Sequence, residues 1–92
     1  MLAMPRMVFT PQLRRFLEVP DLQCQALQLR PALQEAFAQN PRLGPYVLDD
    51  QGHLRANVVI FIDGRRCVER ILLQDPLQPD STVHVLQALS GG

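Results

Sequence analysis

Two rhythms run through the apolar positions of this 92-residue chain. One has a period of two, the mark of a strand that sends alternate side chains to opposite faces of a sheet. It governs Arg6 to Thr10, where Met7 and Phe9 alternate with Val8, until Pro11, which has no N–H to give to a ladder. After the turn residues Pro20-Asp21 it returns over Leu22 to Leu27, where Leu22, Cys24 and Ala26 alternate with Gln23 and Gln25. The densest run, Val58-Val59-Ile60-Phe61-Ile62, closes Asn57 to Ile62 and is β-branched except at Phe61. It reads as a central strand covered on both faces, or covered on one and sticky on the other. Asp63-Gly64 is a two-residue hairpin signal, its glycine supplying a positive φ, and Arg65 to Val68 returns as a short strand. A last strand opens at Val83 and Val85, alternating with His84.

The second rhythm is helical. Leu29, Leu33, Ala36 and Phe37 form one apolar stripe, Pro31 suits the first helical position, and Asn40-Pro41 stops the helix. Leu13, Phe16 and Leu17 also fall at i, i+3, i+4, but beside Arg14-Arg15, and Gln12 to Pro20 is read as a connection. Arg42 to Arg55 is irregular, broken by Gly44-Pro45, Asp49-Asp50 and Gln51-Gly52 and pinned to the body by Tyr46, Val47, Leu48 and Leu54. Glu69 to Leu73 reads as a brief turn of helix, and Asp75-Pro76 and Pro79-Asp80 punctuate the approach to the last strand. The order β-β-α-β-β-β has one main helix that must cover one face of a mixed sheet, an α+β class in a single domain over residues 1–92.

Composition narrows the function. With 47% apolar and 20% charged residues the chain is globular rather than disordered. Nine basic and nine acidic residues cancel, which argues against nucleic acid as a partner. All nine basic residues are Arg, so the protein cannot be modified or chained through lysines of its own. Cys24 and Cys67 form no C-x-x-C, and with two His they give no metal-ligand spacing; they read as structural thiols in a reducing cytosol. Met1 to Met7 has no apolar core of a signal peptide, and no apolar run reaches the roughly 18–20 residues that span a bilayer. The expectation is a cytoplasmic protein without a membrane partner. Asp49-Asp50 beside Gly52 is read as a pair of solvated turn formers rather than catalytic carboxylates, and His53 as exposed. No nucleophile, base or acid constellation stands out, so the chain is not expected to be an enzyme.

The last strand runs into Ala88-Leu89-Ser90-Gly91-Gly92. A tail over 87–92 that closes on two glycines is conformationally loose and thin enough to thread a narrow channel. Taken alone it reads equally as a frayed end.

Together these blocks resemble the MoaD/ThiS-like sulfur carriers, small proteins of ubiquitin-like β-grasp fold that include the small subunit of molybdopterin synthase and the thiamine sulfur carrier. The resemblance is carried by Val8-Phe9-Thr10-Pro11 with Leu13, the helix ending in Phe37 and Asn40-Pro41, and Tyr46 to Arg55. It continues through Val58 to Gly64, Asp75-Pro76-Leu77 and Ala88-Leu89-Ser90-Gly91-Gly92. It implies that the Gly92 carboxylate, presented by Gly91, is adenylated by a separate ubiquitin-activating-type enzyme that uses ATP. A sulfur donor, a sulfurtransferase or cysteine desulfurase, then converts the acyl adenylate to a thiocarboxylate. The carrier itself binds no cofactor and no metal.

By the same resemblance Val58, Ile60, Ile62, Val83 and Val85 face the helix, and alternation sends Val59, Phe61, His84 and Leu86 to the other face. The implied partner surface is Phe61, Leu86, Ala88, Leu89 and Ser90, beside the tail. For Val59 and Phe61 an alternative stays open, in which the early loop or the 42–55 segment covers them as core. Two other functions remain beside the carrier: the small subunit of a molybdopterin synthase, whose large subunit would receive the tail, and a β-grasp binding module or protein modifier.

Overall fold

The computed structural model describes residues 3–9 and 21–87. Five strands make one mixed sheet: β1 Arg6–Phe9, β2 Leu22–Gln23, β3 Val58–Ile62, β4 Arg65–Arg66 and β5 Thr82–Gln87, in the order β2-β1-β5-β3-β4. The centre belongs to β5. It pairs in parallel with β1, with Met7 opposite Val83 and Phe9 opposite Val85, and antiparallel with β3, with Ile60 opposite Val85 and Ile62 opposite Val83. The outer pairs, β1–β2 and β3–β4, are antiparallel. The β3–β4 hairpin turns where expected: Asp63 and Gly64 have φ of 51° and 83°, the doubly positive backbone of a tight primed turn.

One main helix, α1 Leu29–Gln39, lies against the sheet, as the helical stripe requires. Leu29, Ala32, Leu33 and Ala36 are buried with Met7, Phe9, Val58, Ile60, Ile62, Val83 and Val85 in one core. Every residue assigned to the helix-facing side of β3 and β5 is in that core. The helix starts two residues before Pro31, which therefore takes the third helical position. It remains in the first turn, where an N–H has no intrahelical partner to lose. No side chain caps this end. Instead the N–H of Leu29 donates to Asp75 O at 2.9 Å and that of Arg30 to Leu73 O at 2.8 Å. The loop before β5 is thus the cap of α1.

Four expected elements come out differently. The strand over Leu22 to Leu27 stops at Gln23, because the Glu35 carboxylate reaches from α1 to accept the N–H groups of Gln25 (2.9 Å) and Ala26 (2.8 Å). The segment from Arg42 to Arg55 holds a 3-10 turn, Pro41–Leu43, and a four-residue helix, α2 Gly44–Val47, rather than irregular chain alone. It buries Leu43, Val47 and Leu54, whereas Tyr46 is exposed and so is not an anchor. The strand from Arg65 to Val68 ends at Arg66. Finally, Glu69 to Leu73 is not helical. Its N–H groups turn inward on one carboxylate: Glu69 accepts from Ile71, Leu72 and Leu73, and Leu73 is held at a φ of 54°. The expected connection over Gln12 to Pro20 lies outside the described residues, as does Thr10.

Candidate functional site

The candidate surface is the sheet face opposite α1. Residues with even numbers on β1 and β5 and odd numbers on β3 point there, and the register brings them side by side. Val8 sits opposite His84, His84 opposite Phe61, and Leu86 opposite Val59. Arg66 completes the row, opposite Phe61 on the other side. Val8, Val59, Phe61 and Leu86 are half-buried, while His84 and Arg66 are exposed. Four apolar side chains therefore lie across three adjacent strands on the side away from the helix. The buried residues of the 42–55 segment, Leu43, Val47 and Leu54, belong to the same core as the α1 stripe.

Of the site residues read from the sequence, Phe61 and Leu86 are both on this face, one cross-strand step apart. Ala88, Leu89, Ser90, Gly91 and Gly92 lie outside the described residues. Two members of the face, Val8 and Arg66, were not singled out. Val8 joins only through the parallel pairing of the first and last strands, and no local pattern announces that pairing.

The strand that leads to the tail is fixed at its start. The Asp63 carboxylate accepts from the N–H of Thr82 (2.9 Å) and the hydroxyl of Ser81 (2.7 Å), and the N–H of Asp63 donates to Thr82 O at 3.0 Å. These donors, Thr82 first, hold the Asp63 carboxyl below its ordinary range. Asp63 is itself in the hairpin turn, so one residue ties the β3–β4 turn to the entry of β5. From there the register is set through to Gln87 opposite Val58.

Elsewhere, titratable groups serve the loops. The Asp49 carboxylate accepts from the N–H of His53 (3.0 Å) and of Gln51 (2.9 Å), which lower its pKa. Asp50, Gln51 and Arg55 line a shallow cleft with it. A carboxylate so engaged is a turn former, and His53 is half-buried rather than exposed. Both cysteines are buried and free. Burial raises the pKa of Cys24, and burial with the Asp75 carboxylate pushes Cys67 up to about 12. Neither thiol is a thiolate at neutral pH. Among the described residues no cluster of His, Cys, Asp or Glu is placed to hold a metal ion, and no helix is long and apolar enough to cross a membrane.

No protein-family model and no curated protein matches the chain. Solved structures do. Small archaeal modifier protein 1 from Haloferax volcanii superposes with a TM-score of 0.81 at 15% identity, over 96% of this chain and 98% of that one. The protein of the same name from Methanosarcina acetivorans gives 0.78 at 19% identity, over 100% and 99%. A chain of the BexX/CysO complex of Amycolatopsis orientalis gives 0.80 at 10% identity, over 96% and 99%. Likeness at such low identity establishes architecture, and the architecture agrees with the strand order and helix placement described above: the chain has the ubiquitin-like β-grasp fold.

Proposed function

We propose that this chain is a sulfur carrier whose working group is the carboxylate of Gly92. The observation that carries the proposal is the position of β5. It is the central strand, held on one side by β1 and on the other by β3, and it delivers the chain at Gln87, five residues before Gly92. Fully extended, five residues span at most about 17 Å, enough to put a carboxylate into another protein's active site while the sheet docks at its mouth. The apolar face of Val8, Val59, Phe61 and Leu86 adjoins the strand that leads there.

The chemistry uses that arm as follows. A carboxylate oxygen of Gly92 attacks the α-phosphorus of ATP on a ubiquitin-activating-type enzyme, and pyrophosphate leaves. The terminal sulfur of a persulfide on a sulfurtransferase or cysteine desulfurase then attacks the acyl carbon and displaces AMP, and a second thiol on that donor cleaves the resulting acyl disulfide, leaving a thiocarboxylate on Gly92 and a disulfide on the donor. Glycine at both 91 and 92 suits this, because a side chain there would crowd the acyl centre. The protein contributes position, docking and a sulfur nucleophile on its tail. The adenylating enzyme contributes ATP and catalysis. Support for a docked partner comes from the CysO neighbour, which was solved in a complex.

A second reading is conjugation to other proteins. It is favoured by the two neighbours named as modifier proteins. Both readings need the same activated carboxylate. Use as the small subunit of a molybdopterin synthase is a third, narrower form of the first and requires a large partner subunit. Deleting Gly91 and Gly92 tests the shared step. The truncated chain is expected to fold, yet to lose pyrophosphate release with an activating enzyme from the same organism. Undiminished function of the truncated chain would leave only a binding module.

A further inference from the structure

The sheet also has an open edge, β4, whose outward main-chain groups the tail chemistry does not use. β4 is the last strand in the order, and its first side is taken by β3. The N–H of Cys67 donates to Ile60 O at 2.8 Å, so Cys67 turns its main-chain groups toward β3. In an antiparallel ladder the next residue on either side turns its groups the other way. Arg66 therefore directs its N–H and C=O outward; the same alternation, carried past the end of β4 through the Cys67 bond, sets those of Val68, two residues on, the same way, and Val68 makes no main-chain hydrogen bond among the described residues. That spacing is what an added antiparallel strand engages with two reciprocal pairs of bonds.

The side chains around this edge are unusual for a surface. Val68 is 84% exposed, and Ile71 and Leu72 are 53% and 57% exposed, three large aliphatic residues within five. Arg65 and Arg66 are exposed beside them. The carboxylates at hand are already committed: Asp63 to Ser81 and Thr82, Glu69 to three N–H groups of its own loop. Arg65 spends part of its charge on Asp63. Arg66 makes no ion pair among the described residues, which sets an exposed cation two residues from exposed Val68 along the open backbone. Two adjacent arginines also disfavour the same edge of a second copy, because antiparallel self-pairing sets cation near cation.

We infer that the edge formed by Arg66 and Val68 is a docking site for an extended segment of a partner protein carrying a large aliphatic and an acidic side chain two residues apart. In antiparallel pairing the aliphatic residue comes first, opposite Val68, and the acid second, opposite Arg66. The inference does not rest on adenylation of the tail.

The test is an NMR titration of the full-length, 15N-labelled chain with the peptide acetyl-Thr-Thr-Ile-Thr-Glu-Thr-Thr-amide. Saturable shifts are expected at the Arg66 and Val68 amides, with affinity about tenfold weaker when the peptide's Glu is replaced by Lys. Arg66→Gln should lose the preference for Glu over Lys without lowering the melting temperature. Val68→Pro, which removes the outward N–H, should lose binding; an unchanged hydrogen-exchange pattern in β3 and β5 would show that this variant is folded. Four results would overturn the inference: no saturable shift at about 1 mM peptide; equal binding of the Glu and Lys peptides; shifts centred on Phe61 and Leu86; or sedimentation showing two copies of the chain paired through this edge.

Discussion

Single side chains divide here into those that hold loops and those kept chemically silent. Cys67 is in the second group. Its thiol donates toward Glu69 O at 3.2 Å and the Asp75 carboxylate at 3.3 Å, and burial and that carboxylate push its pKa up to about 12. A pKa raised in the folded state stabilises the protein below the unfolded thiol's value, about 8.5, and that contribution is lost as pH rises from there toward the folded value. Alkaline unfolding should therefore steepen over this window, and Cys67→Ala should flatten it in denaturant titrations at successive pH values. At neutral pH iodoacetamide should modify neither cysteine of the native chain and both in denaturant. The silence suits an activated acyl group, which a local thiolate would capture as a thioester. Asp63 gives the opposite pH signature. Its carboxyl is held below the ordinary range by Thr82 and Ser81, so its contribution is present above about pH 4 and lost as pH falls through the lowered value. Asp49 and Glu69 add in the same direction. Melting temperatures should hold level near neutrality and fall in acid. Asp63→Asn should start lower at neutral pH and decline less on acidification.

Between the elements, the register does what no residue does alone. It places Phe61, Leu86, Val59 and Val8 on one face and the helix on the other. Leu86→Asp is expected to leave the fold intact, because Leu86 is outside the buried core, while weakening binding to the activating enzyme by about tenfold or more. Pull-down or calorimetry with unchanged circular dichroism would show it, and an unfolded variant would return Leu86 to the core. The sequence made β3 and α1 readable because each carries its full period: Val58, Ile60 and Ile62 alternate, and Leu29, Leu33 and Ala36 stripe one side. It hid what side chains do to other segments' backbones. Glu35 cuts β2 short from ten residues away, and Glu69 folds its own following residues around a carboxylate where helical spacing suggested a turn of helix. The candidate face was half legible in the same way. Phe61 and Leu86 followed from alternation, whereas Val8 and Arg66 needed pairings between distant segments. Asp63-Gly64 was plain from the dipeptide, but its grip on Ser81 and Thr82 spans eighteen and nineteen residues and leaves no local trace.

At the scale of the whole molecule, the β-grasp architecture puts the last strand at the centre and the helix on one side, which leaves the opposite face for a partner beside the strand that ends at Gln87. A small chain with no lysine and two inert thiols has few reactive groups of its own, which concentrates the proposed chemistry on one carboxylate. The two proposed partner surfaces, the face around Phe61 and the edge at Arg66, meet at the Phe61–Arg66 pair. The most direct test of the central claim is the intact mass of the chain after incubation with an activating enzyme from the same organism, ATP and a sulfide source. The carrier account predicts a gain equal to the difference between sulfur and oxygen, requiring ATP and absent from the chain lacking Gly92. An unchanged mass with every competent activating enzyme, alongside an active control carrier, would contradict it.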